Sequence, residues 1–516
     1  MIGVIAESAD HEVVCEFFEL FKTPWEFYRE GREYPVILCT DSLPSEAAAQ
    51  CIVVYAGQEG GHRADGTITF GISPRGDRIP IYGRSAEFPA TDGRLLIDEG
   101  TRRSIAHLER RAGSTIARIG YDLFGEVRAL LTVGQPAENA AIPALDLHIA
   151  FLRDLITGCG VELREIPPVP DGYQFIACLT HDVDHPLIRR HKCDHTTLGF
   201  LYRAIFSSLR DVTRGWLSIG NLLRNWSAAL KLPLVHLGLV RDFWSDFADR
   251  YRELEGDAPS TFFVIPFANR PGKTLHGPAP EFRGARYGAR DIANSIQKVV
   301  HADCEVGLHG IDAWIDSSKG AEEFAEIERL SGESGLGVRM HWLYFDRQSP
   351  ATLEKAGAAY DSTVGYNQTV GFRAGTTQVY KLLGTEGLLE LPLHIMDTAL
   401  FYPAHLGLSK PEARSRMRQL VDQAVRLGGC LAINWHDRST APERLWGDCY
   451  RELVEELRDR GAWFATAGQA VSWFRERRSA RFENERLVPK AKGVPRLQWR
   501  VQREQKTECA AAGPIK

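Results

Sequence analysis

The fold of the chain is decided by the stretch FIACLTHDVDHP, residues 175–186. The apolar run from Phe175 to Leu179 is typical of a strand that is buried on both faces. Alternate side chains of a strand point to the same side, so Asp182 and Asp184 are expected to share one site at its carboxyl end. One carboxylate would hold a metal while the other acts as a base. For each residue taken alone, a capping or turn role is the simpler alternative.

Three later segments repeat the pattern of an apolar stretch that stops at a His or an Arg. They are EVGLHGID at 305–312, VRMHW at 338–342 and LAINWHD at 431–437. The polar ends of parallel barrel strands meet at the carboxyl face, so the four segments predict one site. Strands alternating with helices are expected near residues 175–180, 260–266, 304–309, 337–342, 388–395 and 430–436.

With these motifs in this order, the chain resembles the polysaccharide deacetylases of carbohydrate esterase family four. The family's first motif, Thr-Phe-Asp-Asp-Gly, is matched by residues 180–184, its second by His309 and the residues after it, its third by Arg339, and its last by the strand ending at His436. The linking phrases are similar to those of a divergent bacterial branch with an extra N-terminal domain, found among surface-polysaccharide proteins: YDSTVG at 360–365, GFRAGT at 371–376 and LPLHIMD at 391–397. The resemblance implies an α/β fold, a distorted (β/α) barrel with a helical insertion and a smaller N-terminal α/β domain.

The resemblance also implies a metal-dependent hydrolase that removes an N- or O-acyl group from a carbohydrate. In enzyme terms this is a hydrolase of carbon–nitrogen bonds other than peptide bonds, a polysaccharide or amino-sugar deacetylase. In the family a divalent metal polarises the acyl carbonyl and activates a water. Carried over, Asp182 is the base, Arg339 is its charge partner, and His436 is the acid that protonates the departing amine.

The family holds its metal with one Asp and two His, and this chain matches that set in part. Asp184 is the expected metal carboxylate, although strict alignment puts the family's Asp at Val183, so a shift of one residue is assumed. His309 is the first His. The second is expected four residues later, where the chain has Ala313.

A catalytic zinc usually has three protein ligands, so another side chain must replace the missing His. The candidates are Asp312, which we place first, and behind it His341 and His185. Zinc is the expected metal, with manganese or iron as alternatives, because Asp and His suit all three. A lost or weakened metal site stays open, and His341 equally fits a satisfied core histidine.

Candidate substrate contacts are Trp342, Trp435 and Arg373. Arg373 would bind a hydroxyl, phosphate or carboxylate through its planar donor fork, and a structural salt bridge is an equal alternative. Asp397 either orients His436 or caps a helix.

Composition favours a globular enzyme of about two or three domains. The chain has 516 residues, of which 44% are hydrophobic and 25% charged, and its net charge of -5 gives no basic excess for binding nucleic acid. The ten cysteines sit mostly singly in apolar runs, as reduced thiols do. No secretory signal is visible, and no apolar run approaches the roughly 20 residues of a membrane span. We therefore expect a cytoplasmic protein whose substrate is a sugar nucleotide, a lipid-linked sugar or another soluble amide.

Four regions are expected along the chain. Residues 1–168 form the N-terminal α/β domain of unknown role, and the turn-rich segment PPVPDG at 167–172 is a boundary. The barrel covers 169–478 and contains the helical insertion 195–256. Residues 479–516 are a mobile tail.

The insertion combines apolar residues with arginines and the tryptophans Trp216 and Trp226. Such a basic amphipathic segment would make peripheral contact with an anionic membrane and present a lipid-linked sugar. A helical lid packed on the barrel rim is the alternative. The sequence leaves the oligomeric state open.

Two other functions stay in play. One is hydrolysis of a non-carbohydrate amide, such as a ureide or a polyamine conjugate. The other is a degenerate barrel that binds a glycan or a partner without turnover, which the missing His after His309 favours. Asp182, Arg339 and His436 together argue against degeneracy, because a binding surface needs no base, charge partner and acid.

Overall fold

A computed structural model describes residues 1–40, 47–55, 61–62, 68–89, 93–111, 113–192, 194–215, 217–482, 495–498 and 500–503. Two large sheets dominate these residues, one on each side of the PPVPDG segment.

The first sheet belongs to an N-terminal α/β unit, as predicted. Its strands run in the order β2-β1-β3-β4-β11-β10-β9-β6-β7, parallel from β2 to β11 and antiparallel beyond. The strands up to the boundary are β1 Ile2–Ile5, β2 Trp25–Phe27, β3 Val36–Cys39, β4 Cys51–Tyr55, β5 Gly61–His62, β6 Thr69–Ile72, β7 Arg78–Ile81, β8 Ala86–Glu87, β9 Arg94–Asp98, β10 Ser104–Arg111, β11 Ser114–Ile119 and β12 Leu163–Glu165. The helices are α1 His11–Phe21, α2 Leu123–Thr132 and α3 Ala144–Gly158.

The second sheet is parallel and has the order β18-β17-β14-β13-β22-β21, with β23 against the start of β13. The strands after the boundary are β13 Phe175–Val183, β14 Ser260–Val264, β15 Lys273–Thr274, β16 Gly277–Pro278, β17 Glu305–Gly310, β18 Val338–Met340, β19 Tyr380–Lys381, β20 Leu389–Glu390, β21 Leu393–Met396, β22 Cys430–Asn434, β23 Ala462–Phe464 and β24 Arg500–Gln502. The helices are α4 His195–Leu201, α5 Ser208–Thr213, α6 Ile219–His236, α7 Phe247–Glu255, α8 Ala293–His301, α9 Ser317–Ser331, α10 Ser349–Ala356, α11 Asp397–Phe401, α12 Lys410–Leu427, α13 Gly447–Asp459 and α14 Ala467–Ser479.

An irregular segment after β18 curls this sheet into a distorted barrel. Asp361 pairs with β18, and its carbonyl accepts the N–H of Leu391 at 2.8 Å. The carbonyl of Val364 accepts the N–H of Leu393 at 2.9 Å. The predicted fold class is therefore confirmed. All six predicted strands are present, and the one near 388–395 is divided between β20 and β21 at Pro392, which has no N–H to donate.

The central strand β13 is buried over its whole length, which accounts for its unbroken apolar run. One glycine sets the position of β18. A Cβ on Gly337 would lie 2.0 Å from the ring of Tyr360, so a larger residue there would push β18 away from the segment that closes the barrel.

The helical insertion is also confirmed. It contains α4 to α7 and a π-helical turn at Tyr202–Ser207. Trp226 is exposed there, whereas Trp216 lies outside the described residues. Among the described helices, none is both long enough and apolar enough to span a bilayer.

The domain boundaries and the mobile tail stay predictions. Most of the tail lies outside the described residues, and its part β24 pairs antiparallel with β12.

Candidate active site

The carboxyl ends of β13, β17, β18 and β22 meet at a cavity of about 480 Å³. The strands are parallel and adjacent, so their polar ends converge as the sequence predicts. Among the residues that line the cavity are Asp182, Asp184, His185, His309, His341, Trp342, Tyr402, His405, His436, Arg438 and Arg444.

Asp184, His309 and His341 form a compact group in this cavity. Their ligand atoms all lie within 4.8 Å of one another. Asp184 Oδ1 lies 3.3 Å from His309 Nε2 and 3.8 Å from His341 Nε2. Ligands of a tetrahedral zinc at bond lengths of about 2.0–2.2 Å are separated by about 3.3–3.6 Å. The two distances from Asp184 Oδ1 are therefore close to the ligand–ligand distances expected around a bound zinc ion.

Hydrogen bonding and charge prepare the group for a cation. His309 Nδ1 lies 2.9 Å from the carbonyl of Arg339, which directs the Nδ1 proton there and leaves the Nε2 lone pair free. Asp184 Oδ1 is buried and accepts no hydrogen bond from the described residues. Burial would raise the pKa of Asp184, but the imidazoles of His341, His309 and His436 around it hold that pKa well below its usual range. Burial lowers the pKa of His341 well below its ordinary value, so that imidazole is neutral.

The structure does not bring Asp312 into this group. The chain turns after β17 ends at Gly310, and Asp312 Oδ2 lies 2.7 Å from Lys319 Nζ while Oδ1 accepts the N–H of Lys273 at 2.8 Å. His185 lines the cavity, but its Nδ1 lies 3.3 Å from His191 Nε2. His341, which we placed behind Asp312, is the third member of the group.

Asp182 lies beside the group, with both carboxylate oxygens held. Oδ1 accepts from Arg339 Nη1 at 3.1 Å, and Oδ2 accepts from Asn434 Nδ2 at 2.7 Å. Oδ2 is also 3.9 Å from His309 Nε2. A carboxylate oxygen has two lone pairs, so Oδ2 can still accept a proton.

His436 faces the group from β22. Its Nε2 is 3.8 Å from Asp184 Oδ2, and its Nδ1 is 2.6 Å from Asp397 Oδ1. Burial alone would lower the pKa of His436, but the charge of Asp397 and this hydrogen bond raise it to about 10. Both ring nitrogens of His436 are therefore protonated at neutral pH. Of the two roles that the sequence left open for Asp397, the structure shows the contact with His436, whose N–H donates to Asp397 Oδ2 at 2.7 Å, whereas the N-cap of α11 is Met396.

The three predicted substrate contacts lie in different places. Trp342 lines the cavity and has φ 66°, a left-handed conformation that is unusual for a bulky residue. Trp435 is completely buried against Phe401 and Tyr450, so it cannot reach a substrate. Arg373 is not among the residues described as lining the cavity, and its Nη1 donates to the carbonyl of Gly365 at 2.7 Å.

Sequence reasoning missed several residues of the site. Asn434, which holds Asp182, precedes Trp435 in the last motif, where its short polar side chain was the available signal. Arg438 and Arg444 follow the same motif, whereas Tyr402 and His405 stand in a loop with no recognisable pattern. In the first motif, His181 is a core residue between Glu255 Oε1 and the carbonyl of Trp435, each at 2.8 Å.

Together these features describe an α/β barrel that carries a candidate metal-ligand group at its carboxyl face, with Asp182 and His436 beside it. No family model matches the chain, and a search of curated proteins finds no match either. Solved structures do match.

One similar structure is a "putative polysaccharide deacetylase" from Mycobacterium smegmatis, at 20% identity and a TM-score of 0.38 over 60% of this chain and 94% of that one. A second is the peptidoglycan deacetylase PdaC from Bacillus subtilis, at 12% identity and a TM-score of 0.27 over 60% and 96%. A third is a family 4 acetyl xylan esterase from Clostridium thermocellum in complex with a cobalt ion, at 12% identity and a TM-score of 0.26 over 58% and 90%. These three proteins are named as deacetylases or as a family 4 esterase, the kind of protein that the sequence motifs resemble.

Proposed function

We propose that the chain is a metal-dependent hydrolase that removes an acyl group from a carbohydrate, with an N-acyl amino sugar as the main substrate class. The observation that carries the proposal is the group of Asp184, His309 and His341, flanked by Asp182 on one side and His436 on the other. A site with three ligands and an adjacent base and acid has the parts that metal-assisted hydrolysis requires.

Asp184, His309 and His341 would hold the metal, which when bound supplies charge to polarise the acyl carbonyl and to acidify a water. Zinc fits the Asp-His-His set best, with manganese and iron as alternatives. Asp182 would accept a proton from the attacking water as the oxygen of the water adds to the acyl carbon. Arg339 and Asn434 hold the Asp182 carboxylate so that Oδ2 stays directed at the cavity.

His436 completes the reaction from the opposite side. Its Nδ1–H is engaged by Asp397, which directs the Nε2 proton into the cavity. That proton passes to the sugar nitrogen as the carbon–nitrogen bond breaks, and the products are a carboxylic acid and a free amine. For an O-acyl substrate the same proton passes to the sugar oxygen.

The test is elemental analysis of purified protein together with three variants, Asp184→Ala, His309→Ala and His341→Ala. We expect about one transition metal per chain in the wild type and its loss in each variant. Asp312→Asn is the matched control and should keep the metal, because its carboxylate is paired with Lys319. A wild type that holds no metal after loading with zinc or manganese would contradict the proposal and favour a binding barrel.

The substrate class is tested by acetate release from an N-acetylated oligosaccharide, compared with release of ammonia from a ureide and of amine from an acetylated polyamine. Turnover of the oligosaccharide alone is the expected result. Cleavage of only the small amides would favour the non-carbohydrate alternative. His436→Gln should abolish release while the metal content is unchanged.

We propose that the protein acts in the cytoplasm. Cys178 Sγ and Cys430 Sγ are 3.4 Å apart, a separation of neighbouring thiols and not of a disulfide, which is about 2.05 Å. Adjacent reduced thiols suit a reducing compartment. A fluorescent fusion expressed in the source organism would locate the protein.

We also propose that the insertion makes peripheral contact with an anionic membrane. It exposes many large apolar side chains among the exposed basic residues Arg210, Arg224 and Lys231. The apolar residues include Leu198, Tyr202, Phe206, Leu209, Ile219, Leu223, Leu230, Leu237 and Leu239. The exposed ring of Phe282 lies 6.4 Å from the His195 ring of the insertion and 5.5 Å from the Trp342 ring in the cavity, so this surface reaches the mouth of the site.

Sedimentation with vesicles tests that surface. Vesicles with anionic lipid should carry the protein down at low salt, and the double variant Leu230→Ser, Leu237→Ser should bind less because it removes apolar area. Val133→Ser, an exposed apolar residue outside the insertion, is the control. Absence of wild-type binding at low salt would remove the membrane contact.

A further inference from the structure

A second cluster lines the same cavity, on the loop that follows β22. Arg438 and Arg444 belong to it, with Tyr402 and His405 from the loop after α11. Arg438 lies over the ring of Trp244, with its guanidinium carbon 4.2 Å from the ring centroid. Arg444 lies 5.0 Å from the ring of Trp446 and donates to the hydroxyl of Tyr402. Aromatic rings therefore hold both guanidinium groups in place.

Several donors of this cluster are buried without a hydrogen-bond partner among the described residues. They are Nε and Nη2 of Arg438, Nε of Arg444 and Nδ1 of His405. Arg438 itself is 4% exposed. Glu443 Oε1 lies 3.5 Å from Arg438 Nη2, so the two groups form an ion pair, but neither atom has a hydrogen bond among the described residues. Buried guanidinium N–H groups that have no acceptor are costly, so this arrangement suits a ligand that supplies the missing acceptors.

Charged groups of both signs surround the cluster. Arg203 of the insertion interacts electrostatically with Arg444, and the carboxylates of Glu443, Asp397 and Asp437 act on the same guanidinium group. Burial and the nearby charge of Arg444 lower the pKa of Arg438 to about 10. An anionic group in the cavity would supply acceptors to the nitrogens of Arg438 and Arg444 that have none among the described residues.

We propose that Arg438 and Arg444 form a subsite for a phosphoryl group carried by the sugar substrate, in the cavity that also holds Asp184, His309 and His341. The planar donor fork of arginine binds phosphate oxygens in pairs, and charge-assisted bonds of this kind are about twice as strong as neutral ones. The subsite rests on the proposed function, because it makes a phosphate-bearing sugar the preferred substrate over a neutral glycan. A nucleotide diphosphate and a polyprenyl diphosphate both carry the required group.

Calorimetric binding tests the subsite without turnover. The probes are uridine diphosphate N-acetylglucosamine, a short-chain polyprenyl diphosphate N-acetylglucosamine, neutral N-acetylchitotriose and inorganic pyrophosphate. We expect at least one sugar diphosphate to bind about tenfold or more tightly than chitotriose, with pyrophosphate competing for its site. Tight binding of the uridine ligand identifies a nucleotide source, and tight binding of the polyprenyl ligand alone identifies a lipid source. Equal affinities for the charged and neutral probes would overturn the subsite.

Substitutions distinguish specific binding at Arg438 and Arg444 from nonspecific electrostatic attraction of the anionic probe. Arg444→Gln should weaken the sugar diphosphate by about 10 to 100-fold and leave chitotriose unchanged. Arg451→Gln, at an exposed arginine of α13, is the control and should have little effect. Equal losses in the two variants would overturn the proposal. Arg438→Gln extends the test, and if it does not fold, the half-buried Arg444 still decides the outcome.

The same experiments test the subsite and the proposed hydrolase activity separately. Tight binding of a sugar diphosphate with no release of acid supports the subsite and contradicts the hydrolase. Acid release from chitotriose, with no preference for the charged probes, supports the hydrolase and removes the subsite.

Discussion

At the scale of single residues, the site depends on how Asp182 is held. Arg339 is completely buried and contacts Asp182, the hydroxyl of Thr180, and both the carbonyl and the hydroxyl of Ser362. Arg339 therefore joins Asp182 of β13 to the segment that closes the barrel. An isolated buried charge is unfavourable, so each member of the Arg339–Asp182 pair depends on the other.

Replacing Arg339 by Met should lower the free energy of unfolding by about 3–5 kcal/mol, because Asp182 loses its charge partner while it stays buried. Urea unfolding measures the change. Adding Asp182→Asn should recover about 1–3 kcal/mol of that loss, since the unpaired charge is then gone. Arg347→Met, at an exposed arginine after β18, is the control and should change stability by less than about 0.5 kcal/mol. Additive effects of the two site substitutions would contradict this coupling.

The sequence predicted the central members of the site because their motifs stand at strand ends. Asp182, Asp184, His309 and His436 follow apolar runs, and parallel strands carry such residues to one edge. The sequence could not rank His341 above Asp312 as the third ligand. That choice depends on the turn after β17 and on the position of Lys319. Both are tertiary features that spacing does not encode.

At the scale of elements, the turn after β17 is fixed by α9. Glu323 of this helix accepts the N–H of Ile311 at 2.8 Å and the N–H of Asp312 at 2.9 Å. These two hydrogen bonds hold the turn that directs Asp312 away from Asp184, His309 and His341. Burial raises the pKa of Glu323 from 4.5 to about 7, even though both backbone bonds lower it.

This pKa predicts how stability depends on pH. The folded chain keeps the Glu323 proton up to about pH 7, whereas the unfolded chain releases it near pH 4.5. The contribution of this proton is fully present below pH 4.5 and is lost as the pH rises through 7, by about 3 kcal/mol in total. The free energy of unfolding of the Glu323→Gln variant, measured in urea between pH 4.5 and 8, should not show this decrease.

The control for that measurement is Glu322→Gln, at the exposed neighbouring position of α9, which should keep the wild-type pH dependence. If Glu323→Gln and the wild type lost the same stability over this range, the group responsible would lie elsewhere.

The elements themselves were largely predictable, because buried parallel strands have unbroken apolar runs and the insertion has helical periodicity. The closure of the barrel was not. It depends on the segment around Asp361 and Val364, which pairs through single bridges and carries no strand pattern of its own. The pairing of β24 with β12 joins residues more than 300 positions apart and could not be seen in either segment.

At the scale of the whole molecule, the N-terminal unit and the barrel share buried polar contacts. Asp146 of α3 accepts from the hydroxyl of Thr376 at 2.7 Å and from the N–H of Thr377 at 2.8 Å. Arg477 of α14 is 1% exposed and donates to the carbonyls of Glu19, Leu20 and Ile166 at 2.7–3.0 Å. These bonds join the last barrel helix to α1 and to the predicted boundary. We therefore expect the N-terminal unit and the barrel to unfold together.

Arg477→Met should therefore destabilise both units at once. It removes the Arg477 donors from the carbonyls of Glu19, Leu20, Ile166 and Pro167, and each buried group left unsatisfied costs about 1–3 kcal/mol, so we expect a loss of at least about 3 kcal/mol. Limited proteolysis should then cut the boundary at 167–172, which the contacts of Arg477 protect. Arg475→Met on the same helix is the matched control, because Arg475 is exposed and donates to the carbonyl of Ala359 alone among the described contacts. If the two variants lost equal stability and were cut at the same rate, Arg477 would not be what couples the two units, and their contacts elsewhere, such as those of Asp146, would have to carry that coupling.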